Sequence, residues 1–150
     1  MADGEQTGGS KTNTRRNLQL LLGAFGAVCV AIALTHILLG PSSIPGSVPV
    51  NATMDSEDRF YATLFLGFGA TLLWCVRGVE RKRGIIGALM VIFFLGGVAR
   101  IISIFAVGLP GLLFVFLTVV ELVLPMVVMT LQYQLARAVD VAPSTSVQVG

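Results

Sequence analysis

Two ionisable residues stand where an ionisable side chain is costly: Arg100 in the run LGGVARIISIF (95–105) and Glu121 in FLTVVELVLPM (116–126). Each interrupts a stretch of uncharged residues long enough to cross a bilayer. An arginine at the centre of a membrane-spanning helix costs about 3 kcal/mol on insertion scales. Paired with a carboxylate, the two charges offset each other and exchange charge-assisted hydrogen bonds. Such a pair has two uses: it can fix the register of neighbouring helices, or it can hold a proton or a small solute.

Pro125 adds a second polar feature. A proline inside a helix lacks the N–H that would bond the carbonyl four residues earlier, and four before Pro125 is Glu121. The free carbonyl at that depth needs a protein or water partner, and Arg100 has donors enough for both carboxylate and carbonyl. Gly96 and Gly97 precede Arg100 by four and three residues on one helical face, leaving room there for a neighbouring helix or a small ligand. His36, near the end of the first apolar run, joins this set, with Tyr61 and the carboxylates around Glu57 as further polar positions. No His/Cys/carboxylate cluster has a metal-binding spacing, no nucleophile sits at a base's distance, and no glycine loop cradles phosphate. The sequence therefore calls for no metal, no cofactor and no enzymatic reaction.

The elements that must carry these residues follow from composition. Of 150 residues 55% are hydrophobic and 12% charged, about half the charge of a soluble domain. A net charge of +2 gives no footprint for nucleic acid. A membrane-spanning helix needs about 20 mostly apolar residues, and four runs qualify: 18–39, 60–76, 85–107 and 109–133. The expected fold is an all-α bundle of four transmembrane helices over 18–135. Residues 1–17 and 136–150, rich in Gly, Ser, Thr and Val without periodicity, read as disordered tails.

GPSSIPGSVPVN (40–51) reads as an irregular loop, and Asp55 or Ser56 as the cap of the second helix. RGVERKRG (77–84) is a basic hairpin, and GLPG (108–111) a turn tight enough to make helices three and four antiparallel neighbours. By helical rise Arg100 lies about 11 Å from the loop end of helix three and Glu121 about 16 Å from that of helix four, so the two can meet. Gly23, Ala27 and Ala31 form a small-residue stripe suited to close helix packing. LLGA (21–24) and IIGA (85–88) look alike, and His36 and Arg100 each follow thirteen residues after the glycine.

Eight of the ten Lys and Arg (Lys11, Arg15, Arg16, Arg77, Arg81, Lys82, Arg83, Arg137) fall on one side of these spans and only Arg59 on the other. The positive-inside rule then puts both termini and the basic hairpin in the cytoplasm. The arginine pair in TRRNLQL faintly resembles an export signal, but the apolar run behind it is too long for one. Asn51-Ala52-Thr53 is a glycosylation sequon, and Cys29 and Cys75, at different depths, are not expected to bridge.

EDRFYATLFLGFG (57–69), GGVARIIS (96–103), GLPG (108–111) and ELVLP (121–125) together resemble a bacterial family of four-helix inner-membrane proteins, catalogued as a domain of unknown function (number 4345). The resemblance covers residues 20–135. It implies a bacterial host and the four-helix fold, and it carries no activity; the tails and the proline-rich loop fall outside it. Small size, short loops and the packing stripe favour an accessory or assembly subunit of a larger inner-membrane complex, a respiratory one among the candidates. Its partners would be the lipid bilayer and other membrane subunits or a second copy. The alternative is a small proton-coupled carrier or solute-binding protein using Arg100 and Glu121.

Sidedness is directly testable. An impermeant thiol reagent applied from outside should modify a cysteine introduced at Ser47 and leave one at Ser144 untouched; the opposite pattern would invert the orientation.

Overall fold

The computed structural model describes residues 3–140, with side chains placed for 12–137. The chain forms α1 (Asp3–Leu39), a 3-10 turn (Gly40–Ser43), α2 (Ala52–Val76), α3 (Arg83–Val107) and α4 (Leu112–Asp140), with no strand among the described residues. All four helices are long and apolar enough to cross a membrane, which makes this a multi-pass membrane protein.

Helix boundaries depart from the hydropathy runs for identifiable reasons. α1 begins at Asp3 rather than at residue 18, so most of the segment expected to be a disordered tail has helical backbone. No proline interrupts it, and extending a helix already nucleated by an apolar span costs far less than starting one. α2 begins at Ala52, eight residues before the expected start. Its cap is Asn51, whose side chain accepts from the Met54 N–H at 2.9 Å, and Asp55 adds a negative charge in the first turn, where the helix dipole favours it. Asn51 thus serves as a helix cap, and DSEDR is helical. α3 starts two residues early, at Arg83. α4 starts three late, at Leu112, because the Gly111 carbonyl caps it, accepting from Phe114 N at 2.8 Å and Val115 N at 3.3 Å. α4 then continues past residue 133 to Asp140. Residues 141–150, the rest of the expected C-terminal tail, lie outside the described residues.

The end of α1 is closed from the next helix. Arg59 holds Asp55 (Nε–Oδ2 2.8 Å, Nη2–Oδ1 3.2 Å) and donates through Nη1 to the carbonyls of Ile37 and Leu38. Those are among the carbonyls a helix end leaves without partners. Gly40, at φ +64°, lets the chain turn beside this pair; a Cβ there would come within 2.6 Å of Asp55 Oδ1.

The four helices form two antiparallel hairpins. α1 packs most extensively on α2 and α3 on α4, α1 joins α4 across the hairpins, and α2 meets α3 least. The α1–α2 crossing is set by two glycines: a Cβ on Gly69 would stand 3.0 Å from the Gly26 carbonyl and 2.9 Å from Cys29 Cβ, and one on Gly26 3.1 Å from the Gly69 carbonyl. The buried line on α1 is Leu18, Leu22, Gly26, Cys29 and Ala33. Ala27 and Ala31 of the expected stripe point outward, a rotation of the packing face by one to two residues. On α4 the buried positions are Thr118, Glu121, Pro125, Val128, Gln132 and Leu135, a 3-4-3-4-3 spacing typical of left-handed bundle packing. Cys29 and Cys75 are both buried and free.

The well-packed core lies at the end of the bundle that carries the basic hairpin. Leu18, Leu22, Leu72, Ile86, Met90 and Val128 are almost wholly buried there. Lys82 closes the hairpin, donating to the Trp74 carbonyl at 2.6 Å with its ammonium 3.3 Å from the centroid of the Trp74 ring, and Gln19 Nε2 donates to the Val76 carbonyl at 2.8 Å. Towards the opposite end the helices stand apart and enclose cavities.

The glycine crossing predicts an asymmetry between two neighbours on α2. Gly69→Ala should destabilise the protein by about 1–3 kcal/mol through overpacking. Gly67→Ala, whose Cβ meets nothing within 4 Å, should be neutral or stabilising by up to about 1 kcal/mol. Thermal unfolding in detergent compares them; equal effects would refute the close crossing.

Candidate functional site

α3 and α4 bring Arg100 and Glu121 into contact. The arginine Nε donates to both carboxylate oxygens, at 2.9 Å (Oε1) and 2.7 Å (Oε2). Glu121 is 8% exposed, while the Arg100 side chain is 40% exposed. With α4 starting at Leu112, Glu121 lies about 14 Å from the loop end of its helix, within about 3 Å of the depth of Arg100. The Arg100 guanidinium carbon lies 5.8 Å from the Phe114 ring centroid. Arg100 makes no hydrogen bond to the Glu121 carbonyl among the described residues, so the expected double service to carboxylate and carbonyl is not made. Its Nη1 and Nη2 have no protein acceptor there either.

The two glycines before Arg100 divide the roles expected of them. Gly97 is buried, and a Cβ on it would stand 3.0 Å from Glu121 Cβ and Leu122 Cδ2; it lets α4 come close enough for the ion pair to form. Gly96 faces open space and lines the cavity beside Arg100. Pro125 is buried on the same face of α4 as Glu121.

The other hairpin carries a matching pair. His36 Nδ1 lies 3.2 Å from Asp58 Oδ1, joining the end of α1 to the start of α2. A carboxylate only accepts, so Nδ1 carries a proton in this contact, and Nε2 has no protein partner among the described residues. Asp58 Oδ2 is covered and has no hydrogen-bond partner. Asp58 was not singled out from the sequence; Glu57, which was, is exposed and lines no part of the cavity. The signal lay in the face of α2: Asp58 shares the side of the helix that carries the buried Ala62, Gly69 and Leu72, and Glu57 does not. Each hairpin thus sets a basic or potentially basic residue on its first helix against a carboxylate 22 or 21 residues later on its second.

Both pairs open onto one cavity of about 500 Å³ bounded by all four helices. His36, Asp58, Tyr61, Arg100 and Glu121 supply its polar side; Ala33, Ala62, Phe65, Phe68, Phe93 and Leu117 supply the apolar one. Phe25, Phe68 and Phe93, from three helices, make edge and stacked ring contacts at 4.7–6.0 Å between centroids and separate the cavity from the core. Tyr61 lines the cavity though the residue is 62% exposed. Arg100 and His36 also line a second space of about 480 Å³ towards the α1–α2 loop. A guanidinium with free donors, an imidazole with an unpartnered Nε2 and an aromatic floor are the furniture of a small-ligand site.

The family described as Domain of unknown function (DUF4345) matches residues 17–132, a span that reaches into all four membrane-crossing helices and contains both polar pairs, and the chain belongs to it. No curated protein and no solved structure matches the chain.

The ion pair predicts non-additive mutants. Arg100→Leu or Glu121→Leu alone should cost about 3 kcal/mol, because each leaves an uncompensated polar group. The double leucine variant should recover much of that loss. Folded yield in membranes and unfolding in detergent report it; simply additive losses would mean that the two side chains do not depend on each other.

Proposed function

We propose that this family member is a non-enzymatic protein of the bacterial inner membrane that binds a small molecule in the cavity between its hairpins. The observation that carries this reading is the convergence of His36–Asp58 and Arg100–Glu121 on one cavity. If the pairs served register alone, they would be expected to face sealed helix contacts. Here Nη1 and Nη2 of Arg100 and Nε2 of His36 are left for something else. The basic end, with Arg15, Arg77, Arg81 and Lys82 gathered around the hairpin, faces the cytoplasm in this reading, and the cavity lies in the outer half of the bilayer.

The tight core at the basic end argues for binding or delivery over conduction. Beyond Glu121 the first polar residues on α4 are Thr130, nine residues on, which bonds back to the Met126 carbonyl, and Gln132, buried with Nε2 unpartnered; with eight apolar residues between, they make no continuous track. In a binding site Glu121 holds Arg100 in place rather than exchanging protons.

A second reading, an accessory or assembly subunit, is favoured by how little of each span the protein covers itself. Only 17–22% of each apolar window is buried, leaving long faces for lipid, another subunit or a second copy.

Native mass spectrometry of the protein released from mild detergent separates the two. We expect a retained small molecule, lost in Phe93→Trp, which fills the floor of the cavity, and kept in Glu121→Gln at reduced thermal stability. An empty chain recovered with another membrane protein in fixed ratio would favour the subunit reading instead.

A further inference from the structure

The cavity has a direction. Its polar groups lie towards the α1–α2 and α3–α4 loops: His36 is three residues from the end of α1 and Asp58 is the seventh residue of α2. Its aromatic floor, Phe68 and Phe93, lies deeper along the helices. A lipid leaflet has the same gradient, polar at the interface and apolar towards the midplane. The cavity also has an open side. α2 and α3 meet least of the packed helix pairs, and the lining residues on that seam, Leu64 and Ile92, are 57% and 60% exposed. Gly96 stands on the same rim, where a Cβ would touch nothing. A molecule dissolved in the leaflet can therefore slide in sideways.

The polar groups define the head. Arg100 is already neutralised through Nε by Glu121, and His36 is held by Asp58. An anionic head would meet two carboxylates beside the arginine, and a cationic head would meet the guanidinium. What remains is a donor set on Arg100 and the unpartnered Nε2 of His36. A hydroxyl, which both donates and accepts, meets Nε2 in either role, and a carbonyl or ether oxygen accepts from the guanidinium. A volume of about 500 Å³ is that of a single small-ligand site and suits one chain with its head.

Resting on the cavity-binding reading above, we propose that the ligand is a neutral, hydroxyl-bearing single-chain lipid, of the monoacylglycerol kind, taken sideways from the leaflet through the α2–α3 seam. Arg100 and His36 bind its head, and its chain runs over Phe65, Phe68 and Phe93 and out past Gly96.

The probe is a monoacylglycerol with a photoactivatable acyl chain, applied to the full-length protein in nanodiscs. Crosslinks should map to α2 around residues 61–68 and α3 around 92–100. Excess monoolein should compete, whereas oleate and oleylamine should not. Gly96→Trp, and the milder Gly96→Leu, should cut labelling about tenfold with unfolding temperature unchanged. His36→Ala should weaken monoolein competition about tenfold, the loss expected for one hydrogen bond to a well-aligned partner. Oleate competing as well as monoolein would overturn the neutral head, and labelling indifferent to Gly96→Trp would overturn the seam. If no amphiphile labels while native mass spectrometry still finds a bound small molecule, the lipid assignment fails and the binding site stands. If that experiment also returns an empty protein, both fall.

Discussion

The contact between Arg100 and Glu121 is the interaction on which the cavity half of this protein depends. Hydrocarbon offers no partner to a guanidinium or a carboxylate, so each of these helices is a poor span without the other. The pair ties α3 to α4 where the helices are otherwise free to part. It also dictates the residue beside it: Gly97 is the position at which any side chain would push α4 away and lengthen the salt bridge. His36 and Asp58 join the two helices of the first hairpin in the same way, at 3.2 Å.

Stability and openness are thus divided along the bundle axis. At the basic end, side chains interlock and the Lys82–Trp74 contact closes the hairpin. At the other end two polar pairs replace apolar packing. A polar pair fixes two helices at one point but fills little volume, so space remains between the pairs. The same substitution that makes the site polar therefore makes it hollow. Arg59 and Gly40 keep this looser end from fraying by satisfying the last carbonyls of α1.

Lipid and solvent-like ligands compete differently for such a space. The rings of Phe25, Phe68 and Phe93 lie between the cavity and the basic-hairpin end of the bundle, whereas the α2–α3 seam has no comparable closure above them. This geometry sets which direction a molecule can arrive from, independent of which molecule it is.

The four spans, the basic hairpin and the Arg100–Glu121 partnership were legible in the sequence, because a bilayer demands long apolar runs and makes intramembrane charge conspicuous. The packing face was not. In water a helix shows its inside by hydrophobic contrast; in lipid both faces are apolar, so Gly26, Cys29 and Ala33 could not be told from Ala27 and Ala31 until α2 was laid against α1. Asp58 was hidden for a related reason. Which of four clustered acidic or polar residues meets His36 depends on which face of α2 packs on α1, and the close crossing of Gly26 and Gly69 fixes that face. The sequence by itself determined that the chain has four helices apolar enough to cross a membrane and which charges must find each other. Only the tertiary structure decided that the two pairs share a cavity, because that depends on how two hairpins lean together, and no local pattern encodes the angle between them.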